Sequence, residues 1–143
     1  MLFLRNLVFG VVVWFSCSSL ATNQTFHFDP IQEELSGTLE IQTFPGLPNY
    51  ESIAKGDEAE EGFYLRLDNA IDVVATAKDA NWETEKDIKV VQLILDDDFL
   101  KQLEGIGKGT HLLLKGKLSN WLTGHHHEKI LFEVEHIQRT PKS

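Results

Sequence analysis

The sequence predicts a mainly β domain with one short helix. Four segments alternate apolar and polar residues with a period of two, which is typical of half-buried strands. A fifth segment, residues 88–95, is rich in apolar residues on both faces, and a sixth repeats apolar residues at helical spacing. The chain has 143 residues, 42% hydrophobic and 24% charged, which suits one domain around one core.

The start of the chain is typical of a secretory signal peptide. Arg5 gives a basic start, residues 7–15 form an apolar run, and residues 19–21 resemble a cleavage site of small residues. The run is shorter than the about 20 residues that a membrane helix needs. We therefore predict a signal peptide over residues 1–21, a periplasmic or secreted protein, and no stable membrane span after cleavage. The single cysteine, Cys17, lies inside this segment, so no disulfide is expected in the exported chain.

The exported domain is strongly acidic. The formal net charge of the chain is −9, and removal of Arg5 with the signal peptide makes it more negative still. Such a charge repels phosphate backbones. Acidity and export together argue against nucleic acid as a partner.

The first three strands are predicted before the helix. They cover residues 35–42, residues 63–75 with a turn at Asp68 and Asn69, and residues 88–95. A polar lead-in over residues 22–34 precedes them. Residues 44–61 carry several Pro, Gly and acidic residues, so a long loop is expected there, and long ordered loops are often functional.

The remaining elements complete the order. Asp96, Asp97 and Asp98 precede apolar residues at helical spacing, which predicts a capped helix that ends near Gly105. Residues 111–118 and residues from 130 onward alternate again, so they are the fourth and fifth strands.

Three strands, a helix and two strands are the element order of the OB-fold, a small barrel with a helix between its third and fourth strands. The predicted fold is therefore mainly β, a five-stranded OB-like barrel over residues 35–138, followed by a polar tail over residues 139–143. Another small β-barrel or an α+β roll with the same elements remains open.

Several short motifs resemble an uncharacterised family of small secreted bacterial domains. They span nearly the whole exported region, and the most specific is Thr-Gly-His-His-His at residues 123–127. The others are Leu-Ser-Gly-Thr-Leu at 35–39, Tyr-Leu-Arg-Leu-Asp at 64–68, Ala-Ile-Asp-Val at 70–73, Val-Gln-Leu at 91–93 and Lys-Gly-Lys-Leu at 115–118. The resemblance implies an envelope location and an OB-like barrel, and it brings no activity or catalytic residue. Glu128 stands where the family pattern leads us to expect Thr.

The histidine cluster is the best candidate site. It lies in the predicted loop 120–129 between strands four and five, a loop that OB-folds commonly use for ligands. In extended backbone His125 and His127 point to one side, so with Glu128 they are the candidate metal ligands, and imidazole suits zinc or copper. The alternative is that the histidines shape the loop while Trp121 covers the barrel mouth. No cofactor is certain.

A second group of candidates lies on the predicted outward face of strand two. Tyr64 and Arg66, with Trp121 nearby, are candidate ligand-binding residues together with His125 and His127. Ordinary solvent-facing decoration of a strand is the alternative for Tyr64 and Arg66.

We expect a non-catalytic, exported OB-like binding domain that recognises a protein, peptide or envelope glycan. Three alternatives remain: a metal-binding module built on residues 125–127, a small inhibitor or immunity protein, and a metal-assisted hydrolase. The sequence contains no nucleophile elbow, no His-Glu-x-x-His helix and no phosphate-binding glycine loop, so no catalytic residue is predicted.

Overall fold

The computed structural model describes residues 22–75, 82–120 and 126–140. Within these residues the chain is mainly β, with one α-helix and one short 3-10 helix. The predicted signal peptide lies outside the described residues.

The described residues contain six strands. These are β1 Gln24–His27, β2 Gln32–Pro45, β3 Ala59–Val74, β4 Glu85–Ile94, β5 His111–Asn120 and β6 Ile130–Arg139. The 3-10 helix Ile53–Lys55 lies between β2 and β3, and the helix α1, Asp97–Ile106, lies between β4 and β5.

The strands form one sheet in the order β1-β3-β2-β5-β6-β4, and β3 also pairs with β4. The β1–β3 and β4–β6 pairs are parallel, whereas the other pairs are antiparallel. Leu39, Leu65 and Val91 form a row across β2, β3 and β4, and all three are fully buried. Because side chains alternate along a strand, Tyr64 and Gln92 lie on the opposite face, which we call the outer face.

The N-terminus of helix α1 is capped by Asp96, the residue directly before it. The carboxylate of Asp96 accepts hydrogen bonds from the N–H groups of Asp98 and Phe99 at 3.0 and 2.8 Å. This satisfies two amide donors that the first turn of a helix leaves without a partner. Leu103 is fully buried and joins the core, so the predicted short helix between the third and fourth predicted strands is confirmed.

The predicted count of five strands is wrong, because part of the lead-in is also a strand. β1 runs parallel to β3, with Gln24 opposite Ile71 and His27 opposite Val74. Only Phe26 of its four residues is buried. A strand this short shows almost no alternation, and its partner is distant in sequence, so local patterns could not reveal it.

The loop between β2 and β3 is shorter than predicted. Pro45 pairs with Ala59, so the strands extend into the expected loop and leave residues 46–58. At the predicted turn after Asp68 the strand β3 continues, and its pairing with β4 shifts register between Arg66 and Ile71. A register shift of this kind bends a strand without ending it.

We find no helix in the described part of the chain that is both long enough and apolar enough to cross a membrane.

Candidate functional site

The site forms where segment 126–129, the described end of the loop before β6, lies against the outer face. Gln92 on β4 is opposite Tyr64 on β3, and only 9% of Gln92 is exposed. Its side-chain Oε1 accepts hydrogen bonds from the backbone N–H of His127 at 2.8 Å and of Glu128 at 3.4 Å. The amide of one buried glutamine therefore fixes this segment to the sheet.

An aromatic contact holds the same segment from a second side. The rings of His127 and Phe44 are stacked, with centroids 3.8 Å apart and planes within 7°. Phe44 lies near the end of β2, and its ring is 6.2 Å from the ring of Tyr64. The loop before β6 is thereby joined to the strand that leads into the loop 46–58.

The hydroxyl of Tyr64 is buried. Tyr64 is 1% exposed, and its hydroxyl forms no hydrogen bond with any of the described residues. Burial, and then the negative charges of Glu128 and Glu60, raise the pKa of Tyr64 to about 12. Tyr64 lies on the outer face, as predicted, but it is not exposed to solvent there, because Phe44 packs near its ring. Ligand binding by Tyr64 stays a prediction.

Arg66 does lie at the surface. Its guanidinium contacts both carboxylate oxygens of Glu40, at 2.5 and 3.1 Å, and its side chain is 57% exposed. The hydrogen bond and the charge of Glu40 raise the pKa of Arg66. Ligand binding by Arg66 stays a prediction.

A cavity of about 420 Å³ opens beside segment 126–129, within the usual size range of small-ligand sites. Two of its lining residues form an ion pair, with Nζ of Lys129 3.5 Å from Oε2 of Glu85. Burial raises the pKa of the Glu128 carboxyl, and the charge of His127 opposes that effect. The lining of the cavity combines carboxylates, imidazoles, an amide and an ammonium group: Glu85, Asn120, His126, His127, Glu128 and Lys129.

The predicted metal ligands are only partly described. His125 lies outside the described residues, as does Trp121. Among the residues that the structure describes, no group of three His, Cys, Asp or Glu side chains is arranged to hold a metal ion. The stacked ring of His127 fits the alternative in which a histidine shapes the loop. Metal binding by His125, His127 and Glu128 stays a prediction.

A Ser-His-Asp cluster lies elsewhere in the fold. Nε2 of His111 is 2.8 Å from Asp68 Oδ2 and 3.4 Å from Ser36 Oγ, and Nδ1 is 2.5 Å from the hydroxyl of Thr140. In a catalytic triad the serine and the acid contact opposite ring nitrogens. Here both contact the same one, so the cluster ties strands together and does not match a nucleophilic triad.

Residues that matter to the site escaped the sequence analysis. Gln92 lies in the Val-Gln-Leu motif at 91–93, to which the resemblance gives no role, Phe44 lies in none of the motifs, and the partners of both in segment 126–129 are far away in sequence. The usable signal for Gln92 was its position as the one polar residue in the apolar run 90–95. Buried polar side chains need hydrogen-bond partners, so such a residue predicts a specific contact without naming it.

Part of the chain matches a protein family whose function is uncharacterised. Residues 90–138 match the model of a family described as a domain of unknown function, DUF4431, which is about a third of the chain. That range includes Gln92, α1, β5 and segment 126–129. No curated protein and no solved structure matches the chain.

Proposed function

We propose that this protein is an exported, non-catalytic binding domain with an OB-like barrel. Its ligand is a protein, a peptide or an envelope glycan, and it occupies the cavity beside segment 126–129. The observation that carries this proposal is the cavity itself, because contacts with Gln92 and Phe44 fix segment 126–129 of its wall. Such order reduces the conformational entropy lost on binding.

The strand pairings support an OB-like barrel. The pairing of β3 with β4 joins the two ends of the order β3-β2-β5-β6-β4, while β1 adds to β3 from outside this circuit. In chain order the circuit consists of β2, β3, β4, β5 and β6, and the helix α1 lies between the third and fourth of these, β4 and β5. This is the arrangement typical of an OB-fold.

The position of the cavity supports a binding function. OB-folds bind ligands with the face of their second and third strands and with the loops after the first and fourth. In the circuit these are the outer face of β3 and β4, the loop 46–58 and the loop that ends in segment 126–129. The stacking of Phe44 on His127 connects the strand before one loop with the other.

The lining supports a polar ligand. Carboxylates, imidazoles, an amide and an ammonium group offer both hydrogen-bond donors and acceptors to hydroxyl, amide or charged groups of a ligand.

A titration with paired variants tests the proposal. Fragments of envelope glycans and a set of peptides are titrated into the full chain by calorimetry, and each hit is repeated with His127→Ala and His136→Ala. His136 is an exposed histidine on β6, so it has the same side chain as His127 but does not line the cavity. We expect His127→Ala to weaken binding roughly tenfold or more and His136→Ala to leave it unchanged.

The same samples distinguish binding from catalysis. Mass spectrometry of the ligand after incubation is expected to recover it chemically unchanged. A panel without hits, equal effects of the two variants, or conversion of the ligand would contradict the proposal.

A further inference from the structure

The loop 46–58 exposes apolar side chains and buries a charged one. Leu47, Tyr50 and Ile53 are 57%, 45% and 44% exposed, and they are three of the four large hydrophobic residues that are exposed in the described part of the chain. Asp57 of the same loop is only 5% exposed. This inverts the usual preference, in which apolar side chains are buried and carboxylates stay in water.

The loop is ordered by that buried carboxylate. Asp57 accepts hydrogen bonds from the backbone N–H groups of Asn49, Glu51 and Ser52 at 2.7 to 3.1 Å, and from the side-chain amide of Asn49 at 3.1 Å. These bonds lower the pKa of Asp57, most strongly through Ser52, while burial opposes them.

Backbone hydrogen bonds close the two ends of the loop. The N–H of Gly46 donates to Glu58, and the N–H of Glu58 donates to Leu47, each at 2.7 Å. The loop therefore presents its apolar side chains on a fixed backbone. Presenting them in this way lowers the entropy cost of docking to a partner.

The hydrophobic core does not include the exposed side chains of the loop. The 3-10 helix Ile53–Lys55 buries no residue, so Ile53 adds nothing to the core. Isolated exposed hydrophobic residues are ordinary, whereas a concentration of them on one ordered loop marks an interaction surface.

The surrounding charge defines the partner. Glu51, Glu58, Glu60 and Glu61 are exposed on or beside the loop, against the single cation Lys55. Four carboxylates repel anionic lipid headgroups and a second copy of this acidic chain. They attract a protein surface that carries Lys or Arg.

We propose that Leu47, Tyr50 and Ile53 form a docking surface for a protein partner with an apolar depression rimmed by basic residues. This surface is distinct from the cavity beside segment 126–129. The inference does not depend on the function proposed for that cavity.

Selection from a displayed library of random peptides tests this surface with a defined probe. The immobilised full chain selects peptides, which are then titrated against Leu47→Ser, Ile53→Ser and the control Ile31→Ser. Ile31 is 43% exposed and lies outside the loop, so it matches Ile53 in residue type and exposure. Circular dichroism verifies that each variant folds, as expected for substitutions at exposed positions.

We expect enriched peptides that combine apolar residues with flanking Lys or Arg. Their affinity should fall roughly tenfold or more with either loop variant, fall further in high salt, and stay unchanged with Ile31→Ser. Failure to obtain a loop-dependent peptide, or an equal loss with Ile31→Ser, overturns the proposal. Ile53-dependent sedimentation with vesicles of phosphatidylcholine and phosphatidylglycerol would assign the surface to a membrane and overturn it as well.

Discussion

Asp57 is a single residue whose charge organises a whole loop. Its carboxylate accepts four hydrogen bonds from residues 49–52, which replace the water that burial removes. Because N–H donors favour the ionised form, the pKa of Asp57 lies below its ordinary value. The order of the loop is thereby linked to pH.

The sign of that link follows from proton binding. Below the ordinary pKa of about 3.9, the unfolded chain protonates this carboxyl before the folded chain does, so stability falls as pH falls. We predict that amide protection at Glu51 and Ser52, measured by hydrogen exchange and corrected for intrinsic rates, is constant from neutral pH to about 4 and then declines. In Asp57→Asn the protection should already be low at neutral pH and should not show this decline. Equal protection in the variant would contradict the assigned role.

The pKa of Tyr64 is raised, whereas that of Asp57 is lowered. Burial raises its pKa to about 12, with Glu128 and Glu60 adding to the effect. An ordinary tyrosine ionises near 10, so the folded state keeps a proton that the unfolded state loses. Stability is therefore lost as pH rises from about 10 toward 12.

Spectrophotometric titration measures this ionisation directly. In Tyr50→Phe, which leaves Tyr64 as the only tyrosine of the chain, we predict an apparent pKa near 12 while circular dichroism still shows the fold. Tyr64→Phe should lessen the alkaline loss of stability. Ionisation of Tyr64 near 10 in the folded chain would contradict its burial.

The strands β4 and β5 show what the elements contribute to the site. β4 carries Gln92, which binds segment 126–129 through two backbone N–H groups. We predict that Gln92→Leu leaves these groups without their acceptor and lowers the free energy of unfolding by about 1 to 3 kcal/mol. The exposed Gln42→Leu on β2 serves as the control, and urea denaturation measures both. Equal stability of the two variants would show that the contact is not formed.

β5 approaches β6 closely at Gly116. A methyl group there would overlap the backbone carbonyl of Glu133, and backbone cannot move aside as a flexible side chain can. We predict that Gly116→Ala lowers the free energy of unfolding by about 1 to 3 kcal/mol. Gly105→Ala on α1, where no atom lies within 4 Å of the added methyl, should instead be neutral or stabilise by up to about 1 kcal/mol. Urea denaturation distinguishes the two outcomes, and a loss as large in Gly105→Ala would remove the steric explanation.

Local patterns predicted the elements well where one face is buried. On β2 the buried residues Leu35, Gly37 and Leu39 recur every second residue, as Leu112 and Leu114 do on β5, so both strands were recognisable from period alone. Asp96 predicted the start of α1 because a cap acts within three residues. β1 escaped prediction because its pairing with β3 is set by residues almost fifty positions away.

The same distinction between local and distant contacts applies to the site. Residues 126–128 could be placed in the loop before the last strand, since the order of elements determines which segments are loops. The burial of Tyr64 and the contacts of Phe44 and Gln92 could not be predicted. They depend on how the loop folds back on the outer face, which a two-residue period does not encode.

The whole molecule combines a net negative charge with two features that we propose as recognition sites. The cavity beside segment 126–129 is polar, whereas the loop 46–58 presents apolar side chains inside an acidic surround. The rings of Phe44 and His127 connect them. A domain of this kind is suited to hold one ligand in the cavity while a protein partner contacts the loop, and the variants proposed above affect the two features separately.

Nuclear magnetic resonance mapping of a bound ligand tests the central claim most directly. The isotope-labelled full chain is titrated with the strongest glycan or peptide hit from calorimetry, and backbone amide shifts are followed. We predict that the largest changes fall on Glu85, Asn120 and segment 126–129, with changes at Gln92 and Phe44 behind them. Largest changes around Ser36, Asp68 and His111, with segment 126–129 unaffected, would contradict a binding site at this cavity.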